Sequence, residues 1–506
     1  MQQGAGDSLS SQTEARPATR QLTQPEQRTI IFGLLLSIML AALDQTIVAP
    51  ALPTIGAALG DLTQLSWIVT SYLLAATAVT PLYGKLADIH GRRITLNIAI
   101  GIFLLGSICC ALSPTVFWLV VARALQGLGG GGLIVLAQTT IADAVSPKER
   151  ARYQGHIAST FASASIAGPL LGGFIAGHLT WTLIFWINLP LGGLALVAMN
   201  RALRNLPQQH RRHRLDWLGA SLMLCGTVSL LLGLTWGGVR FPWASATIVS
   251  LLIMALLLAA LFFLRMKSAA EPLLALPVIR GPVVPFGIVA ASLGMGGFVG
   301  LVVHVPLYFE RVLGLSASQA GLALIPLMIG TPIGATLSGK TMAWSAHYKR
   351  SAMFGLSLAL LSVGILAGFG ARLPLPAIEV ILAVAGLGLG SLFPITTVSV
   401  QNAVEAHHMG TVTGALNFTR QLASATAVAV FGAIMLGVAG VAGLAAAEGL
   451  PHQVAAADLA ALERGYRFVF LAAAVCIALA FVSLVRMEER PLRGAAPPPD
   501  VPPPAR

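Results

Sequence analysis

Residues 84–93 read GKLADIHGRR and residues 339–350 read GKTMAWSAHYKR. Each places Gly-Lys at the end of an apolar run and a basic pair a short loop later. Runs of that kind recur along the chain. Fourteen stretches of about 20 mostly apolar residues, the length that crosses a bilayer, start near residues 29, 65, 94, 117, 153, 182, 215, 243, 284, 317, 350, 375, 410 and 466. The echoed segments follow the second and the tenth, eight spans apart. That spacing predicts an all-α polytopic membrane protein of two six-helix halves with two extra helices inserted between them. Repeated halves are a transporter architecture, with the substrate site between them near the midplane.

The composition agrees: 56% of the 506 residues are hydrophobic and 10% are charged, too apolar for a soluble protein of this size. The expected organisation is a disordered N-terminus (1–27), a first half (28–202), a linker with two spans (203–281), a second half (282–488) and a disordered Pro-rich tail (489–506). The stretch VAAADLAALERG, in the loop of about 440–465, reads as a short surface helix.

A net charge of +12 suggests a polyanionic partner until the basic residues are placed on the topology. With a cytosolic N-terminus, 24 of the 31 Lys and Arg fall on that side and 5 on the other (Arg240, Arg311, Arg372, Arg464, Arg467), while Arg123 and Arg420 lie within spans. This is the positive-inside asymmetry, with both termini cytosolic. The charge reports orientation, and no nucleic-acid partner is implied. All four cysteines fall in spans without metal-ligand spacing, so neither a disulfide nor a metal site is expected. No cofactor is expected either, and the polar N-terminus lacks the pattern of a cleaved secretory signal.

GATLSGKT (334–341) matches a phosphate-binding loop letter for letter. That motif needs a strand feeding a glycine loop that opens a soluble helix, whereas this one closes a membrane helix. GLGGGGL (127–133) lies mid-span. In both places close helix packing accounts for the glycines. Without a nucleotide site, transport has to draw on a gradient.

Charge within the spans is the next signal. Asp44, in LDQTIVAPALP (43–53), lies ~10–16 Å inside the outer boundary, and Arg123 lies at ~10 Å, taking 1.5 Å per residue. Isolated charges at such depth are costly, so they pair or face a wet cavity, and they mark ion pathways. Asp44 is therefore the candidate proton-coupling residue. Arg123 either shares that role or holds the helices together. In the fifth span Ala164, Gly168, Gly172 and Ala176 recur every four residues, giving a small-residue face for another helix, and Pro169 removes a backbone donor there. Gln126, His304, Glu310 and Arg420 are candidate polar groups of the cavity or the interface between halves. His304 also reads as a packing residue, Glu310 and Asp143 as solvated helix-end acids, and Arg420 has no acidic partner at its depth. The second half offers no clearly mid-membrane carboxylate.

GKLADIHGRR resembles the signature loop of the major facilitator superfamily. LDQTIVAPALP, RALQGLGGGG (123–132), SIAGPLLGGFIAG (165–177), WTLIFWINLPLGG (181–193) and NFTRQLASATAVAVFGA (417–433) resemble the motifs of fourteen-helix drug:proton antiporters of the EmrB/QacA type. The resemblance implies a switch loop of Gly84, Asp88, Gly91, Arg92 and Arg93, in which Asp88 meets the start of the thirteenth span (Met409, Gly410, Thr411). It also implies an exporter motif at Gly168, Pro169, Gly172 and Gly173.

The expected function is proton-coupled export of hydrophobic, cationic drugs or biocides by a monomeric protein of the plasma or inner membrane. Its partners are protons, the cargo and lipid. One alternative is export of a single endogenous metabolite such as an antibiotic or siderophore. A remoter one, an intramembrane enzyme or receptor, lacks support: there is no H-E-x-x-H, G-x-S-x-G or Asp pair.

Overall fold

The computed structural model describes residues 24–60, 64–203, 215–269, 271–273, 281–345, 347–448 and 456–492. The parts of the expected disordered ends at 1–23 and 493–506 lie outside the described residues, as does 204–214 of the linker.

All fourteen expected spans are helices. The first six are α1 (Thr29–Leu59), α2 (Leu65–His90), α3 (Arg92–Ala111), α4 (Val116–Ala144), α5 (Pro147–His178) and α6 (Leu183–Arg201). The inserted pair is α7 (Trp217–Trp236) and α8 (Ala246–Ser268). The last six are α9 (Val284–Arg311), α10 (Ser318–Trp344), α11 (Lys349–Arg372), α12 (Leu375–Asn402), α13 (Met409–Val438) and α14 (Leu459–Arg486). The sequence from Ala456 forms no separate surface helix: Ala456–Arg486 is continuous.

Local chemistry sets the boundaries. Ser146 and Glu149 form a reciprocal capping box, with Pro147 in the first turn, at the start of α5. Ser316 and Gln319 do the same before α10. Gly91 turns the chain between α2 and α3 at φ +86°, a conformation that disfavours any side chain. The helix Gln24–Ile47, which carries the first part of α1, gives way to a 3₁₀ turn at Ala49–Ala51 before Leu52–Leu59 resumes, where Pro50 and Pro53 remove backbone donors.

Each half packs around its own apolar core, one including Ile38, Tyr72, Phe103 and Leu136, the other Leu327, Leu356, Leu389 and Phe470. The halves meet where α2 lies on α13 and α5 on α10. Among the inserted helices, α7 packs on α2 and α13, while α8 packs on α7. Leu256, Phe263 and Leu264 of α8 are left exposed, as a lipid-facing helix requires.

The two echoed loops play equivalent parts. Gly84 of α2 abuts the backbone of Gly410 at the start of α13, and Gly339 of α10 abuts the backbone of Ala151 at the start of α5. A Cβ at either position would collide with backbone. Each half thus offers its Gly-Lys glycine to the fifth helix of the other.

Candidate transport site

Between the halves lies a cavity of about 820 Å³, within the range of small-molecule sites. Its wall is largely apolar, including Phe161, Met295, Phe298, Met328, Phe393 and Val428. Polar groups punctuate it: Gln45, Gln138, Gln154, His304, Asn417, Arg420 and Gln421 among them. The inserted pair contributes as well, since Thr235 of α7 and Val239 and Trp243 of the α7–α8 turn line it.

The face carrying the start of α1 is closed. There Asp88 accepts hydrogen bonds from the Gly410 N–H at 3.0 Å, the Thr411 N–H at 2.7 Å and the Thr411 hydroxyl at 2.8 Å. A carboxylate at a helix N-terminus satisfies orphan donors and opposes the positive end of the helix dipole. Arg92 pairs with Asp88 and with Asp143, each at 2.8 Å. Asp143 is an exposed helix-end acid, as expected from sequence, and it also takes part in this network through Arg92. On the equivalent side Arg150 of α5 donates to Gln401 of α12 at 3.1 Å. Just above, Asn417 donates to Gln138 at 2.8 Å across the halves. From this floor the wall runs to Val239, Trp243 and Leu436, near the ends of α7 and α13 at the opposite face.

Asp44 and Arg123 come together as their shared depth suggested, at 2.7 Å, but the carboxylate is not on the cavity wall. Asp44 is 0% and Arg123 1% exposed. Asp44 also accepts from Gln126 at 2.9 Å and Asn188 at 3.0 Å, and both of these amides reach Ser107. Arg123 donates to the Ile68 carbonyl and to Gln126, and its guanidinium lies over the Tyr72 ring at 4.2 Å. Side chains from α1, α2, α3, α4 and α6 therefore close around one ion pair inside the first half. Gln126, expected at the cavity or interface, belongs to this network and is fully buried. Sequence reasoning missed Ser107 and Asn188. Asn188 carried a signal, a lone amide within FWINLP, but Ser107 carried none.

The remaining candidates separate cleanly. Gly168 and Gly172 of α5 press on Thr46 and Ile47 of α1, whereas Gly173 has open space around it; Pro169 lies within the same helix. Arg93 donates to Asn200 at 3.1 Å. His304 lines the cavity while its Nδ1 donates to the Gly300 carbonyl at 2.9 Å, so the packing and lining readings both describe it. Glu310 is half-buried at the end of α9 and does not line the cavity. Arg420 does line it, and donates to the Thr396 and Thr397 hydroxyls at 3.1 and 2.9 Å. The glycines of GLGGGGL pack α4 on α2 and α3, and Gly334 of GATLSGKT packs on Leu387. Among the described residues no cluster of His, Cys, Asp or Glu could hold a metal ion.

The sequence matches the model of the Major Facilitator Superfamily over residues 34–217 and 202–428. It is 30% identical over 493 residues to multidrug resistance protein 3 of Bacillus subtilis, covering 92% of this chain and 96% of that protein. It is 35% identical over 403 residues to the efflux pump dotC of Dothistroma septosporum, covering 79% of this chain and 69% of the other. The fold resembles that of the proton:xylose symporter XylE with a TM-score of 0.60 and 15% identity, over 91% of this chain and 95% of that one. Fourteen spans, two halves that exchange equivalent glycine contacts, and a cavity between them are the features of a transporter, not an enzyme, and the chain belongs to the Major Facilitator Superfamily.

Proposed function

We propose that the protein is a proton-coupled exporter of hydrophobic compounds, working as a monomer in the plasma or inner membrane. The observation that carries the reading is the cavity between the halves, closed at one face by the Asp88 contacts and continuing toward the other. The names of relatives such as multidrug resistance protein 3 support drug efflux. With the Lys- and Arg-rich face cytosolic, this conformation faces outward. Rocking the halves would break the contacts of Asp88 with Gly410 and Thr411 and open the cavity to the cytosol.

The cargo is defined by apolar surface. A cationic cargo finds no carboxylate here, since no Asp or Glu lines the cavity among the described residues. Proton exchange is assigned to Asp44. Sealed against Arg123 in this state, it meets water only if α1 shifts relative to α4 and α6. Its neighbour Gln45 lines the cavity, so a shift of α1 that admits cargo also disturbs the ion pair. A ligand moves such an equilibrium only through unequal affinity for the two states.

The test is transport of a hydrophobic dye by proteoliposomes under an imposed pH gradient. The parent should export uphill. Asp44→Asn should equilibrate dye downhill, which shows that it is folded, without concentrating it. Uphill export by Asp44→Asn would overturn proton coupling at this residue.

A further inference from the structure

We infer that the cavity selects an organic anion: an apolar body carrying one acidic group, seated against Arg420. The inference rests on the transport reading of the same cavity and adds the sign of the cargo's charge.

Arg420 is 5% exposed, on α13, and lines the cavity. Its Nη2 donates to two threonine hydroxyls, and its guanidinium carbon lies 5.5 Å from the centre of the Phe393 ring. These partners orient the side chain but carry no net charge. Its Nε–H is buried without an acceptor. No carboxylate comes within salt-bridge distance of it among the described residues, although the protein pairs other arginines in this way: Arg123 with Asp44, Arg92 with Asp88 and Asp143, and Arg265 with Asp216. Among the described residues the other titratable side chain on the wall is His304, which adds no negative charge in either protonation state.

A wall that, among the described residues, carries one fixed cation, no anion and an apolar lining is complementary to a hydrophobic acid. Burying an unpaired charge is costly, and a carboxylate in the cavity beside the guanidinium would relieve that cost. The guanidinium suits this task because its planar fork stays charged and can engage a carboxylate through two donors. A cationic cargo would meet repulsion at the same place.

The experiment compares three probes of one shape at pH 7: 1-naphthaleneacetate, its neutral primary amide, and 2-(1-naphthyl)ethylammonium. Each is titrated into purified full-length protein in nanodiscs of zwitterionic lipid, with empty nanodiscs as blank. The parent should bind the carboxylate at least tenfold more tightly than the amide, and the ammonium most weakly. Arg420→Gln should shrink the carboxylate's advantage over the amide below threefold while leaving amide affinity within about twofold. Arg420→Lys should keep part of it. Equal or tighter binding of the ammonium to the parent, or no carboxylate binding, overturns the inference without reference to any variant. So does an undiminished carboxylate preference in Arg420→Gln. The transport reading fails separately: carboxylate preference together with uphill export by Asp44→Asn would leave the charge selection standing and remove proton coupling at Asp44.

Discussion

Asp44 and Arg123, 79 residues apart in sequence, form a 2.7 Å ion pair in which neither partner reaches solvent. The pair occupies the centre of the first half, and its cost of desolvation is offset by Gln126, Asn188, the Ile68 carbonyl and the Tyr72 ring. Removing one member leaves the other as a buried unpaired charge, at a cost of about 3–5 kcal/mol. Arg123→Met and Asp44→Leu should each destabilise by that order. The double variant should lose markedly less than the sum. Unfolding of the detergent-solubilised protein measures this, and additive losses would show that the charges are not coupled.

The three bonds that Asp88 accepts from Gly410 and Thr411 tie the first half to the start of α13. Asp88→Ala leaves those donors without that acceptor and should favour the alternative state. A cysteine placed at Gln154, near the cavity floor, in a background without native cysteines, should react with an impermeant maleimide from the opposite face in the parent. With Asp88→Ala added, labelling from the face carrying the start of α1 should rise several-fold. Unchanged sidedness would mean that the contact is a fixed staple.

Gly172 and Gly173 are neighbours with opposite surroundings. A Cβ on Gly172 would run into the backbone of Ile47, whereas one on Gly173 meets nothing within 4 Å. Gly172→Ala should therefore cost about 1–3 kcal/mol as an overpacked contact, or force α1 and α5 apart with loss of transport. Gly173→Ala should fall within about 0.5 kcal/mol of the parent. Thermal stability of the two variants side by side decides it.

His408 sits in the short turn before α13, outside the spans, its ring 3.9 Å from that of His407. Burial and the neighbouring His407, with Lys85, push it below the ordinary histidine range, against the smaller pull of Asp88 and Glu405. A solvated His408 therefore binds a proton more readily than this one. The closed arrangement is favoured above about pH 6.5, the usual histidine value, and loses ground as pH falls through that range. In the Gln154 labelling assay, acidification should raise access from the face carrying the start of α1, and His408→Asn should flatten that response.

The span count and the division into halves were legible in the sequence because the bilayer imposes a length and a polarity that one-dimensional reading detects. Span starts such as 29, 65, 284 and 375 recur in the structure. The meeting of Asp88 with Gly410 and Thr411 was legible too, through the resemblance of GKLADIHGRR to a known loop. Asp44 and Arg123 were legible as partners, since shared depth and opposite charge leave few other pairings. Which way Asp44 faces was not. Sequence places a residue along the membrane normal, but its azimuth, toward the bundle interior or toward the cavity, depends on how five helices pack. For the same reason Asp44 is hidden while its neighbour Gln45 lines the cavity, and although the sequence already marked Arg420 as a span cation without an acidic partner, only the tertiary structure put it on a cavity wall that carries no Asp or Glu among the described residues.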